Sequence, residues 1–428
     1  MSFLWSFIND FLTNSTMLIG LVVLVGLLVQ RKPANLVIIG TLKTIMGVLI
    51  LGIGAGVMAG VIASSLSPLM IKAFNAQGLV PMTTSVVSLA TTEYGTTVAY
   101  VIIGSFVFNL LLAKFSPFKY IFLAGHHILY TSATVSVGLA VYGVHGPMAI
   151  IAGSLIAGLF YTLLPAINQK YMKNITNGQP LAMGHFGATG YWMGAQAGKL
   201  FSKDKEKSTE DLKLPKALSF AKEIVCAATL VIVILLVITV IMTGPAFLEE
   251  ELGVTQNIIV YILIQGITFG AGLTVLLQGV RMMISEILSS FEGIAMKLVP
   301  NAIPALDCPV VFPFAPNAVL IGFVAATIAG VATSIIFGFI VGVVVVPPVI
   351  EFFFMGGTGG VFGNSTGGYK GAILGGAIQG VLFIILPYLF FVAANPLLQP
   401  LSVTVVDPDF AWSGMLAVLV GKLLSPFM

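Results

Sequence analysis

Charge is what this sequence has least of. Asp, Glu, Lys and Arg together make up 8% of its 428 residues, against about 25% in soluble domains. A fold with so few solvated groups cannot face water on all sides, so the composition excludes an ordinary soluble enzyme and points to the bilayer as the main solvent. The net charge is only +3, and the lysines sit in short loops without interleaved aromatic residues, which argues against nucleic-acid binding. The two cysteines, Cys226 and Cys308, lie far apart in apolar segments without CxxC spacing. Neither a disulfide framework nor a zinc site is indicated, and no cofactor is expected. The sustained charged segment, 199–223, is too short to fold alone. Soluble chemistry must therefore come from a partner.

What is present is apolar length. Hydrophobic residues make up 58% of the chain, and roughly ten stretches reach the ~20 residues that one crossing needs. The expected fold is an all-α integral membrane protein. The first strong run, Met17 to Val29, is followed by Gln30, Arg31 and Lys32, so it reads as a retained span and not a cleaved leader. Arg31, Lys32, Lys114, Lys119, Lys170, Lys173 and the 199–223 loop fall on one side if the spans alternate, and the positive-inside rule makes that side cytoplasmic. The N-terminus is then expected outside. The run from Asn35 to Ser65 contains Gly52, Gly54, Gly56 and Gly60 and predicts a long tilted or bent helix.

Two internal similarities suggest a partial inverted repeat dividing the chain into 1–198 and 224–428. SSLSPLMIK at Ser64 to Lys72 parallels SSFEGIAMK at Ser289 to Lys297, and each leads into a proline-marked break that sets Thr83 and Thr84 opposite Asp307 and Cys308. GHFGATGYW from Gly184 resembles GVFGNSTGGYK from Gly360, which predicts two re-entrant hairpins near 181–198 and 356–370 whose tips line one cavity. Irregular backbone survives at membrane depth only against protein or trapped water, so matched breaks imply one shared polar site.

Asp307 is the lone carboxylate between Lys297 and Ile350, and intramembrane acids usually face functional cavities. It also suits an N-cap ahead of Pro309, and both roles are compatible. His126 and His185 are the better histidine candidates for a hydroxyl-rich ligand. His127 and His145 read as interfacial residues satisfied by backbone carbonyls, and Glu93, Glu286 and Glu351, which could couple transport to protons, fit interfacial or packing positions and are read as structural by default. The helix starts at Thr83, Asp307 and the hairpin tips are expected to present free N–H groups to an anionic sugar oxygen.

With TLKTIMG, AGHHILY, EDLKLP, QGVRMMISEI and LDCPVVFPFAPNAVLIGF occurring in that order, the chain resembles the ascorbate-type enzyme IIC of the bacterial phosphotransferase system. That resemblance implies an inner-membrane homodimer of protomers with about eleven spans, each with a core domain and a scaffold domain that move as rigid bodies. It implies group translocation, in which a separate cytoplasmic IIB carries the phosphocysteine and is supplied by IIA. It matches Thr83, His126, His185 and Asp307 to ligand-binding positions, with Asp307 as acceptor of the hydroxyl proton. Where such transporters carry a tyrosine and two glutamines, this sequence has Thr84, Tyr130 and Phe186, so the expected substrate widens from ascorbate to a related sugar or sugar acid. The rival reading is an ion-coupled transporter or facilitator, which would share the broken helices and the buried acid.

Overall fold

A computed structural model describes residues 14–73, 78–204, 207–212, 224–297 and 299–427. Helix α1 (Ser15–Val29) starts where the Asn14 side chain accepts the Met17 N–H at 3.1 Å, a cap that satisfies one of the donors left free by the first turn. It ends at Arg31, whose φ is +57°, just before Pro33. Helix α2 (Ala34–Val61) continues through a π turn at Ile62–Leu66 into Ser67–Ala73, which is the long helix the sequence predicts. A side chain at Gly54 would strike the backbone of Gly272 and Leu276, so α2 lies directly on helix α8 (Ile258–Lys297). Lys43 and Glu286 pair across that contact at 3.5 Å.

Very short strands interrupt the helices. In chain order they are β1 (Gly78–Pro81), β2 (Tyr120–Phe122), β3 (Ala182–Met183), β4 (Ile303–Leu306), β5 (Val344–Val345) and β6 (Val403–Thr404). They form two three-stranded parallel sheets, ordered β5-β1-β6 and β2-β4-β3. Each sheet takes its centre from one half of the chain and both flanks from the other, so the two halves are tied together by backbone hydrogen bonds. Unpaired backbone groups at membrane depth each cost several kcal/mol, and pairing in sheets removes that cost where the helices break.

Each strand except β5 leads directly into a helical segment. These are α3 (Thr83–Phe115) after β1, α4 (Gly125–Ala140) after β2, α6 (Ala188–Gly198) after β3, the 3-10 segment Cys308–Phe314 with α9 (Pro316–Val341) after β4, and α11 (Pro408–Leu424) after β6. Helix α5 (Gly146–Ile175) bridges α4 to β3, and α7 (Ile224–Thr243) precedes α8. After β5, the short turn Val349–Glu351 and the π turn Phe352–Gly356 lead into α10 (Gly357–Ala393).

Helix α10 is two arms. Gly368 adopts φ +60°, ψ −151°, open essentially only to glycine. Added side chains at Gly363 and Gly359 would strike Gly371 and Gly375 respectively, so the arms run back along each other. Helix α6 packs into the same seam, with Gly194 against Gly375 and Gly198 against Gly367. Small residues here let backbones approach closely, the packing that apolar helices use in lipid.

Six helices among the described residues are long and apolar enough to cross a membrane: Ala34–Met70, Thr92–Phe115, Gly146–Ile175, Ile258–Gly279, Pro316–Val341 and Phe352–Ala393. Other apolar segments expected as crossings are shorter, such as Ala228–Thr243, or are parts of a broken helix. Large side chains such as Ile328, Phe339 and Ile340 stand 66 to 88% exposed on α9, a surface stable against lipid but not against water. The chain is an all-α membrane protein. Residues 213–223 of the charged segment and the side chains of 287–297, which include the whole second copy SSFEGIAMK, lie outside the described residues.

Candidate functional site

The residues that follow β2, β3, β4 and β6 converge. His126 and His127 follow β2, His185 follows β3 and Asp307 follows β4; Thr83, Glu351 and Asp407 follow β1, β5 and β6. The short strands fix the backbone immediately before each side chain, so a cluster drawn from the whole length of the sequence is held by its supports and not by flexible loops.

Asp307 is the hub of one side. Its Oδ1 lies 3.4 Å from His185 Nε2 and its Oδ2 lies 3.7 Å from His126 Nε2. It also caps the following 3-10 segment, accepting the Cys308 N–H at 2.6 Å. His185 Nδ1 accepts the Gly187 N–H at 2.9 Å and lies 3.0 Å from the Tyr191 hydroxyl. A neutral ring with an accepting Nδ1 carries its proton on Nε2, so that proton faces Asp307. Gln379 on the second arm of α10 donates to Gly187 O at 2.8 Å and so holds the turn that carries His185.

On the other side, His127 Nε2 lies 3.5 Å from Asp407 Oδ2, and the His127 ring sits 4.1 Å from that of His126 and 4.2 Å from that of His185. His127 Nδ1 is buried with no hydrogen-bond partner. Asp409 is fully buried and accepts both the backbone N–H of Thr189, at 3.0 Å, and the Thr189 hydroxyl. The Asp409 N–H in turn donates to Phe186 O at 2.8 Å, which joins the exit of β6 to that of β3. Thr83 Oγ1 accepts the Val406 N–H at 2.9 Å.

The structure thus gathers Thr83, His126, Tyr130, His185 and Asp307, with Tyr130 ring to ring against His126 at 5.8 Å. It does not gather the other two expected residues in the same way. Thr84 is exposed in the first turn of α3, and Phe186 is fully buried, stacked on Phe410 at 4.6 Å and packed on Phe122, Phe160 and Tyr161. Phe186 supports the pocket from behind because an apolar ring gains more from that aromatic nest than from a polar cavity.

Several expectations are corrected. His127 is a buried partner of Asp407 and not an interfacial histidine. The turn near Gly368 does not reach the cluster: Tyr369 N donates to Lys207 O at 3.0 Å, and Asn364 bridges Ser208 and Thr209. By strand order, the counterpart of the His185 turn is the stretch from Val405 to Asp409. The N–H groups of Val406, Gly187, Cys308 and Thr189 are accepted by the side chains of Thr83, His185, Asp307 and Asp409 respectively, whereas the helices that start at Thr83 and Gly125 have no side-chain cap.

Sequence reasoning missed Asp407 and Asp409. Their signal was there: VTVVDPDF puts an acid directly before a proline after a β-branched run, as ALDCP puts one two residues before a proline in an apolar stretch. Three overlapping trios have ligand atoms close enough to hold a metal ion, namely His126, His127 and Asp307; His127, His185 and Asp407; and His185, Asp307 and Cys308. Chemically, the cluster offers carboxylates, imidazoles and a phenol to a ligand rich in hydroxyls.

The profile of the sugar-specific permease component of the PTS system, EIIC-GAT, matches residues 10–409. The chain belongs to this family. A relative from Mycoplasma pneumoniae, the ascorbate-specific PTS system EIIC component, is 28% identical over 441 residues, an alignment that covers 89% of this chain. This chain spans 65% of that relative's length. In this PTS permease the cluster lies where the broken helices of both halves meet.

Proposed function

We propose that this PTS permease is the translocating EIIC subunit that binds ascorbate or a related sugar or sugar acid between His126, His185, Asp307 and Asp407. It carries the ligand inward as a separate IIB phosphorylates it, with IIA recharging IIB. The observation that carries the reading is the convergence of the ends of β2, β3, β4 and β6 on one histidine and carboxylate cluster inside a lipid-embedded member of this family. An intramembrane acid is expensive unless it serves a cavity, and here Asp307 and Asp407 both stand against adjoining histidine rings.

Within this reading the two halves form an inverted repeat, since each sheet exchanges strands between them in the same pattern. The structure of the repeat is that of the strand exits, with Asp307 answering to the start of α3 near Thr83. The protein sits in the bacterial inner membrane with its N-terminus outside and the 199–223 loop in the cytoplasm. It works as a homodimer of about eleven-span protomers, in which a core domain holding the pocket moves against a scaffold domain. Asp307, paired with two imidazoles, takes the proton of the ligand hydroxyl as the phosphoryl group arrives, and His126 and His185 relay or stabilise it.

Proteoliposomes containing the purified chain test this directly. Labelled ligand is added outside, with or without phosphorylated IIB enclosed. Group translocation yields a phosphate ester in the lumen that depends on phosphorylated IIB. Unmodified label accumulating with an imposed proton or sodium gradient would favour the ion-coupled rival instead.

A further inference from the structure

We propose that His126, His127 and Asp307 form a seat for one divalent transition ion of the Zn2+ type, held by two imidazoles and a carboxylate. The seat is built by the folded chain alone and does not depend on which sugar is carried.

No spacing motif announces the site, because its ligands leave two different strands. β2 and β4 are hydrogen-bonded neighbours with Phe122 paired to Ala305. The residues that follow them, His126 and His127 on one side and Asp307 on the other, therefore emerge together. Each of the three offers a ligand atom, and these atoms lie within 4.8 Å of one another. His126 Nε2 stands 3.7 Å from Asp307 Oδ2. That is too long for a charge-assisted hydrogen bond, which spans about 2.7–2.9 Å. It is close to the separation of about 3.3–3.6 Å between two ligands held tetrahedrally by one Zn2+.

The donors are free to bind. His127 Nε2 stands 3.5 Å from Asp407 Oδ2, again longer than such a hydrogen bond, and His127 Nδ1 is buried with no hydrogen-bond partner. A buried ring nitrogen left without a partner is costly, and an ion removes that cost. His185 differs: its Nδ1 accepts the Gly187 N–H, which places the ring proton on Nε2, so the two trios that include His185 would have to give up an existing bond. The surroundings also suit a metal. Asp307 Oδ1 accepts the Cys308 N–H, which fixes the carboxylate with Oδ2 toward His126, and Asp407 supplies the carboxylate that commonly orients a metal-bound imidazole. The His126 side chain is 41% exposed, which gives the ion a way in and leaves a fourth position for water, the open arrangement of three-ligand zinc sites. Two nitrogens and one oxygen favour Zn2+, Co2+ or Ni2+ over Mg2+ and Ca2+, which take shells of oxygen.

The test is isothermal titration of Zn2+ into the purified full-length protein in detergent, after removal of the affinity tag and of bound metal by a chelator. One ion per chain is expected, with a Kd of about 1 µM or below. His127→Ala should weaken binding by at least about a hundredfold, and Asp407→Asn, which alters only the group facing His127, by about 10–100-fold. His145→Gln, at the histidine outside the cluster, should bind as the wild type does. Should His127→Ala fail to elute as folded protein, Co2+ on the wild type decides: at this seat it gains the intense visible bands of a four-coordinate ion. A Kd weaker than about 100 µM, an affinity unchanged in Asp407→Asn, an affinity lost in His145→Gln, or Co2+ that keeps the spectrum of the aqueous ion overturns the proposal. Zn2+ is titrated without sugar, so the outcome is separate from the phosphate ester sought in the proteoliposomes.

Discussion

Asp307 shows how one side chain can serve fold and function together. It caps the segment after β4 through the Cys308 N–H and faces two imidazoles with its remaining acceptor capacity. Asp307→Asn keeps a side-chain oxygen for the cap but loses the charge and the proton-accepting role. Uptake should fall by at least about a hundredfold while the folded protein elutes unchanged in size-exclusion chromatography; uptake at the wild-type rate would remove Asp307 from the mechanism. Asp409 is the contrasting case, since it serves packing first. Asp409→Ala strands the buried Thr189 N–H and hydroxyl and should cost about 2–3 kcal/mol, read as a fall of several degrees in the unfolding midpoint. Asp307 was legible because it is a lone acid in an apolar stretch beside a proline. Asp407 and Asp409 flank Pro408 after an apolar run, but their role depends on meeting His127 and Thr189, contacts that span more than half the chain and leave no periodic trace. His127 was misread for the same reason: a histidine at a helix start has the same sequence context whether its partner is a backbone carbonyl or a distant carboxylate.

At the scale of elements, the hydrophobic runs identified the long helices well, because length and apolarity directly report the thickness to be crossed. The strands could not be read this way. Two to four residues are too few to show alternation, and their only sequence marks are the breaks they occupy. The glycine-rich segment 356–370 was correctly singled out as irregular, yet its turn meets the Lys207–Thr209 segment. Glycine content announces close backbone approach without saying which backbone approaches. The seam itself is testable. Gly375→Leu drives a branched side chain into the opposing arm at Gly359 and should cost at least about 1–3 kcal/mol of overpacking or prevent folding. Gly56→Ala meets nothing within 4 Å and should be neutral or stabilising by up to about 1 kcal/mol through helix propensity. Thermal unfolding of both variants in the same detergent checks the contrast; equal behaviour would mean that the seam is not closely packed in the membrane protein.

For the whole molecule, the central feature is the exchange of strands. β1 from the first half is flanked by β5 and β6 from the second, and β4 from the second by β2 and β3 from the first. Neither half can complete its own breaks, so the pocket exists only when both are assembled, and any motion of one half against the other is felt at Asp307 and Asp407 together. The most direct measurement is a structure of the full-length protein with its best-binding sugar or polyol at saturating concentration. The account predicts ligand oxygens within hydrogen-bond reach of Asp307, His126, His185 and Asp407, between the ends of the two small sheets. Ligand bound elsewhere in the protein, with this cluster closed around itself and touching none of it, would contradict the account.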